Sequence, residues 1–201
     1  GNGVAVGTTK SADSTIAPVT IKTLVTRNGE QARYDGEGIA VDTSILASFA
    51  PGWWIANEGN AEILGEDEYV PNLLVQVDAW GRVQREIMLP EEIDSPYGGL
   101  IRKNGFEGVA VSQDGRYLLA AIQRQFKDEE PAFTRIARVD LQTLTGSMDG
   151  NVMVCSGDWE FFMYPLDATD DPDNWIGLCE ILSIGPDEYA DRMLRWYGAY
   201  F

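Results

Sequence analysis

Apolar positions in this chain fall in short alternating or continuous runs cut by Gly, Asp, Asn and Pro. That period-2 pattern predicts strands. Thr20-Ile21-Lys22-Thr23-Leu24-Val25-Thr26 is the first run. Trp53-Trp54-Ile55-Ala56-Asn57-Glu58, Leu73-Leu74-Val75-Gln76-Val77-Asp78 and Arg85-Glu86-Ile87-Met88-Leu89-Pro90 follow it. A second series repeats them: Tyr117-Leu118-Leu119-Ala120-Ala121-Ile122-Gln123, Arg135-Ile136-Ala137-Arg138-Val139-Asp140 and Glu160-Phe161-Phe162-Met163-Tyr164-Pro165. A Glu-Gly strand opening precedes each series. The first is Tyr34-Asp35-Gly36-Glu37-Gly38-Ile39-Ala40-Val41-Asp42 and the second Asn104-Gly105-Phe106-Glu107-Gly108-Val109-Ala110-Val111-Ser112, their glutamates 70 residues apart. Trp175-Ile176-Gly177-Leu178-Cys179-Glu180 opens a third, with Glu180 a further 73 residues on. Ser112-Gln113-Asp114-Gly115 and Ala79-Trp80-Gly81-Arg82 read as tight turns. Residues 91–103, broken by Pro96 and Gly98-Gly99, read as a connection, and only residues 188–196 read as helical.

Four strand-like runs in each period of about 70 residues predict an all-β chain, a β-propeller or part of one built from four-stranded antiparallel blades. Residues 1–18 read as an arm or linker, and residues 19–201 as a partial propeller domain. Its units are residues 34–90 and 104–167, with a third starting near 175, and residues 20–26 close a preceding blade. Two units cannot close a ring, so the expectation is a piece of a larger protein. First strands line the axis of a propeller, which would bring Glu37, Glu107 and Glu180 to face one another.

Composition narrows the chemistry. Hydrophobic content of 44% and charged content of 23% are those of an ordinary globular chain. Fifteen basic against thirty-two acidic residues give a net charge of −17. That disfavours nucleic acid and anionic membranes as partners. It suits a metal cation, or simply a solvated acidic surface. There is no histidine, which excludes Ser-His-Asp and Cys-His catalysis and His-ligated metals. Acid–base work then falls to carboxylates, Lys, Tyr or metal-bound water. Cys155 and Cys179 are 24 residues apart. Cys179 reads as a buried thiol, with a disulfide between the two open if the protein is exported. The start of the chain lacks the basic flank and apolar length of a signal peptide. There is no Gly-x-Ser-x-Gly elbow and no P-loop. Residues 167–174 resemble a calcium loop in composition only and read as solvated.

Asp35-Gly36-Glu37-Gly38-Ile39-Ala40, Gly52-Trp53-Trp54-Ile55-Ala56-Asn57-Glu58-Gly59 and above all Asn104-Gly105-Phe106-Glu107-Gly108 resemble the phytase-like (esterase-like activity of phytase) β-propeller family. Thr134 to Asp140 and Trp175 to Ile181 extend the resemblance in order. At residues 189–193 the chain departs from the Glu-Arg strand end usual in that family. The resemblance implies a propeller fold, a periplasmic or extracellular location, and hydrolysis of a small-molecule phosphoester or carboxylic ester.

Converging carboxylates repel unless a cation lies between them. The candidate metal ligands are Glu37, Glu58, Glu107, Glu180, Asn57 and Asn104, with Asp35 and Gln123 as further oxygens. Such an all-oxygen set suits calcium. Glu107 and Glu37 are the candidate catalytic residues, one glutamate serving as base for a calcium-bound water. Arg102, Lys103, Arg124 and Arg135 are the candidate substrate contacts. The repeated glutamates are equally suited to fixing a backbone turn in each blade, and Arg135 to an ion pair at a blade edge. A calcium-dependent lactonase and a non-catalytic binding or scaffold propeller stay open as alternatives.

Overall fold

The computed structural model describes residues 25–43, 52–59, 69–101, 104–168, 175–185 and 188–196. The arm at residues 1–18, most of the strand at 20–26, and Arg102 and Lys103 lie outside these residues. Every described element is a strand. None is a helix, so no helix among them is long and apolar enough to cross a membrane.

β1 (Thr26–Arg27) and β2 (Glu30–Gln31) form a hairpin. Its turn residues Asn28 and Gly29 have φ of 51° and 86°, the pair of positive values that a type I′ turn needs. β3 (Gly36–Val41), β4 (Gly52–Asn57), β5 (Leu73–Asp78) and β6 (Val83–Met88) run as an antiparallel meander. β7 (Phe106–Val111), β8 (Tyr117–Ile122) and β9 (Phe133–Asp140) begin a second one. β12 (Trp159–Pro165) completes it, giving the order β12-β9-β8-β7.

Between β9 and β12 the chain makes an excursion that no pattern in the sequence announces. β10 (Thr145–Asp149) and β11 (Val152–Ser156) form a hairpin that leaves its own sheet. β11 pairs in parallel with β6, Met153 opposite Arg85 and Cys155 opposite Ile87. The first sheet thereby grows to six strands, β10-β11-β6-β5-β4-β3.

β13 (Trp175–Gly185) pairs with β14 (Glu188–Trp196), which corrects the helical reading of residues 188–196. An unpaired eleven-residue β13 would leave its backbone donors and acceptors on an open edge; β14 takes them up in a ladder.

Three apolar layers alternate with the sheets. Val25, Ala32, Ile55, Val75 and Val152 pack on one face of the first sheet. Trp54, Leu74, Ile87, Phe106, Leu118 and Val139 fill the space between the first and second. Ala110, Leu119, Ala121, Leu178 and Ile181 join the second to β13. A sheet covered on both faces needs no polar alternation. That explains why β5 and β7 are buried along their whole length and why β5 reads as a nearly continuous apolar run. Trp159 helps lock the two large sheets together. It stacks on Phe106 at 6.1 Å, and its indole N–H donates to the Met88 carbonyl at 3.0 Å.

An ionic clamp holds the β1–β2 hairpin and the excursion to β6. The Arg27 guanidinium bonds both oxygens of the buried Glu86 carboxylate, at 2.8 and 2.9 Å, and reaches Asp149 at 2.7 Å. The Tyr34 hydroxyl also donates to Glu86. Asn28 accepts from the Asn151 N–H at 2.8 Å, seating one turn against the other. Cys155 and Cys179 are both thiols, not a disulfide.

Candidate functional site

The site is built on a repeated irregularity. In β3 the ladder against β4 slips between Gly36 and Gly38; in β7 the ladder against β8 slips between Phe106 and Gly108. Glu37 and Glu107 are the extra residues of these two bulges. A bulge takes a side chain out of the normal alternation and re-aims it. The neighbouring strand ends correspond as well. Asn57 lies opposite Gly36 and Ile122 opposite Phe106, so Glu58 and Gln123 hold equivalent places. Their backbones are fixed alike: the Glu58 N–H donates to the Asp35 carbonyl and the Gln123 N–H to the Gly105 carbonyl, both at 2.9 Å. Asp35 therefore has a glycine as its counterpart. In β13 the slip falls between Leu178 and Glu180, making Cys179 the extra residue there.

Successive first strands approach backbone to backbone. A Cβ on Gly38 would overlap the Glu107 carbonyl oxygen, and one on Gly108 would stand 2.7 Å from the Glu180 Cα. Only glycine allows β3 to reach β7, and β7 to reach β13, this closely.

The carboxylate oxygens of Asp35, Glu37 and Glu58 lie within 4.8 Å of one another. Asp35 and Glu37 are exposed and Glu58 is half-buried. Glu107 stands beside them, only 9% accessible. Its pKa is pushed up to about 8, first by burial and then by the charges of Glu58, Glu37 and Asp35. The Gln123 amide donates to Glu107 Oε1, while Gln123 Oε1 is buried with no hydrogen-bond partner. Two oxygens bound to one calcium ion, each at roughly 2.4 Å, can be no more than about 4.8 Å apart. The three-carboxylate group meets that limit, and hard oxygen donors are what calcium or magnesium takes.

The other sequence-stated residues fall as follows. Asn57 is fully buried and holds backbone: its Oδ1 accepts the Asp35 N–H at 2.7 Å and its Nδ2 donates to the Pro71 carbonyl at 3.0 Å. Asn104 occupies a left-handed turn with φ of 80°. Glu180 Oε1 accepts the Ile181 N–H at 3.0 Å, a local backbone bond. Arg124 lies over the Trp175 ring at 4.4 Å, and Arg135 is paired with Glu129 and stacked on Phe126 at 4.3 Å. The structure thus gathers Glu37, Glu58 and Glu107 with Asp35 and Gln123.

Two residues that sequence reasoning misses hold this group in place. The fully buried Asn72 accepts the Gly59 N–H at 3.1 Å and the Phe106 N–H at 2.9 Å through Oδ1. Gly59 follows Glu58 and Phe106 precedes Glu107, so one amide pins both segments. The Asn72 N–H and Nδ2 in turn donate to Asp94 Oδ2, at 2.5 and 3.1 Å. A Cβ on Gly105 would overlap Asn72 Oδ1, and one on Gly59 would sit 2.7 Å from the Asn72 nitrogen. The glycines beside the two glutamates were the available signal: they mark where another group comes close.

A family model described as phytase-like, "Esterase-like activity of phytase", matches residues 3–190. No curated protein and no solved structure matches the chain. The match agrees with the all-β sheets observed, since that family is propeller-like, and it points to an esterase- or phosphatase-type hydrolase.

Proposed function

We propose, for a chain that belongs to the phytase-like family, a metal-dependent hydrolase of phosphoesters or related esters whose centre is the Asp35–Glu37–Glu58 group with Glu107 beside it. The carrying observation is the gathering of three carboxylates within 4.8 Å of one another beside a buried fourth carboxyl, whose pKa they help to push up to about 8. Repulsion of that kind is relieved by a bound cation. On this reading β3–β6 and β7–β9 with β12 are two successive blades, and β13–β14 opens a third.

Asp35, Glu37 and Glu58 would hold calcium, which when bound supplies a positive charge to polarise a substrate oxygen. Calcium also explains how a chain of charge −17 receives an anionic phosphoester. The chain's own residues do the rest. With no cation bound Glu107 holds its proton up to about pH 8, and its carboxyl stands where it can give a proton to the leaving oxygen. The Gln123 amide fixes the Glu107 carboxyl. The exposed Glu37 carboxylate can take the proton of an attacking water. Arg124, one residue from Gln123 and braced on Trp175, supplies the cationic contact for a substrate oxygen.

The test is turnover of p-nitrophenyl phosphate and p-nitrophenyl acetate, with a γ-lactone as comparison, in calcium and in a calcium chelator. Calcium-dependent hydrolysis of one of the two nitrophenyl esters is expected. Glu107→Gln, which keeps a polar partner for Gln123, should lower kcat by about 100-fold or more with little change in KM. Lactone turnover alone would move the activity to the lactonase reading. No calcium-dependent turnover of any of the three would favour the non-catalytic one.

A further inference from the structure

The apolar layer on the outer face of the first sheet is not filled throughout. Where the β1–β2 hairpin meets β3 and β4 it leaves a cavity of about 100 Å³. Val25, Ala32, Tyr34, Ile39 and Ile55 line it, and Glu37, with the glycine on either side of it, forms the rest of the wall. The cavity therefore adjoins the carboxylate group, since Glu37 belongs to both. Val25, Ala32 and Ile55 are buried, whereas Ile39 is 47% exposed and marks where the wall meets solvent. The missing side chain at Gly36 keeps the space clear: a Cβ there would stand 3.1 Å from Ile55 Cγ2.

The lining decides what can enter. Its side chains are aliphatic apart from Glu37 and Tyr34, and the Tyr34 hydroxyl already donates to Glu86. No Lys or Arg lines the cavity among the described residues, and no lining side chain has a hydrogen-bond donor to spare. A phosphate or a hydroxyl group placed there would lose its water without a replacement partner. An alkyl group would gain, because each methylene taken out of water improves affinity about four-fold. The volume sets the length of that group. A cavity of about 150 Å³ takes benzene, so one of about 100 Å³ takes about three or four carbons.

We propose that this cavity receives the apolar part of the substrate, so that the preferred class is an ester with an aliphatic group of about three or four carbons beside the reacting atom, and not a polyol phosphate. The reacting group would then stand at Glu37 and its neighbouring carboxylates while the aliphatic chain lies between Val25, Ile39 and Ile55. This inference rests on the hydrolase reading of the glutamate centre and names the substrate for it.

Alkylphosphonates carry an anionic head for the cation centre and are not hydrolysed. The test is a two-dimensional ¹H–¹⁵N NMR titration of the chain, in calcium, with methyl-, n-propyl- and (2-hydroxyethyl)phosphonate. Propylphosphonate should bind about 15-fold tighter than methylphosphonate, the gain of two buried methylenes. The hydroxyethyl compound, of the same length with a polar end, should bind no tighter than methylphosphonate. Ile39→Ala, at a half-exposed position, should cut the propyl-to-methyl ratio about three-fold by removing one wall. Val41→Ala, further along β3 and outside the cavity, should leave that ratio unchanged. Methylphosphonate that binds in calcium while propylphosphonate binds no tighter, or a ratio that Ile39→Ala does not alter, overturns the proposal and leaves the centre standing. Methylphosphonate that does not bind in calcium at all overturns both together.

Discussion

Asn72→Leu is expected to lower the melting temperature by about 10 to 20 °C and to abolish calcium binding at the proposed cation centre. Leucine keeps the branching of asparagine but puts bulkier methyl groups in place of the amide, so the lost hydrogen bonds are joined by some overpacking. The Gly59 and Phe106 N–H groups lose their acceptor and the buried Asp94 carboxyl loses a donor. Each such orphan costs about 1–3 kcal/mol, and three together take a large part of the stability of about 5–15 kcal/mol usual for a folded domain. At this chain length each kcal/mol corresponds to a melting shift of about 2–4 °C. The functional consequence follows from the neighbours: Glu58 precedes Gly59 and Glu107 follows Phe106, so both carboxyls lose their common anchor. Asn72→Asp should fall between wild type and Asn72→Leu, because it keeps an acceptor for the two N–H groups while opposing Asp94. Calorimetric melting of the three proteins decides this. An Asn72→Leu protein that melts within a few degrees of wild type, with calcium binding intact, would remove Asn72 from the site.

Gly38→Ala separates β3 from β7. The added methyl would meet the Glu107 carbonyl oxygen and the Gly108 Cα, both backbone atoms, so no change of rotamer relieves the overlap. Overpacking of this kind costs about 1–3 kcal/mol, at times more, and here the relief is movement of one strand away from the next. Glu37 sits beside Gly38 in the bulge and moves with β3. The expected result is a calcium affinity at least ten-fold weaker, a loss of about 1.4 kcal/mol of binding free energy, with a lower melting temperature. Gly29→Ala is the contrast. Nothing lies within 4 Å of its Cβ position, so only the strain of a φ of +86° is felt, about 1 kcal/mol, and calcium binding should not change. If Gly38→Ala bound calcium like wild type, the close approach of first strands would not be what assembles the centre.

The strands of the two long meanders are legible in the sequence because each is a local pattern: an apolar run, a turn residue, another apolar run. The Glu-Gly openings are legible for the same reason, since a bulge is made by adjacent residues. What the sequence conceals is decided at a distance. Thr145 to Asp149 carries no apolar alternation, and its hairpin is held by β6 and Arg27, segments far away along the chain. Residues 188–196 are mixed enough to read as helix, and the ladder offered by β13 makes them a strand. Asn72 and Asp94 are unremarked polar residues until the fold sets them behind Gly59 and Phe106. Asp35 reads from the sequence only as a further oxygen, because its counterpart in the repeat is Gly105, which has no side chain to compare. Glu180 fits the spacing of the repeat, yet its bulge falls one residue earlier and its carboxylate turns to its own backbone.

Calcium titration by calorimetry, on wild type and on Glu37→Gln, tests the central claim most directly. One binding site is expected in wild type. Its affinity should be higher at pH 9 than at pH 6, because the Glu107 proton that opposes the cation leaves as pH rises through about 8. Glu37→Gln should weaken binding at least ten-fold by removing one charge from the group of three. Absence of binding in wild type, or an affinity that Glu37→Gln leaves unchanged, would contradict the assignment of Asp35, Glu37 and Glu58 as a cation centre.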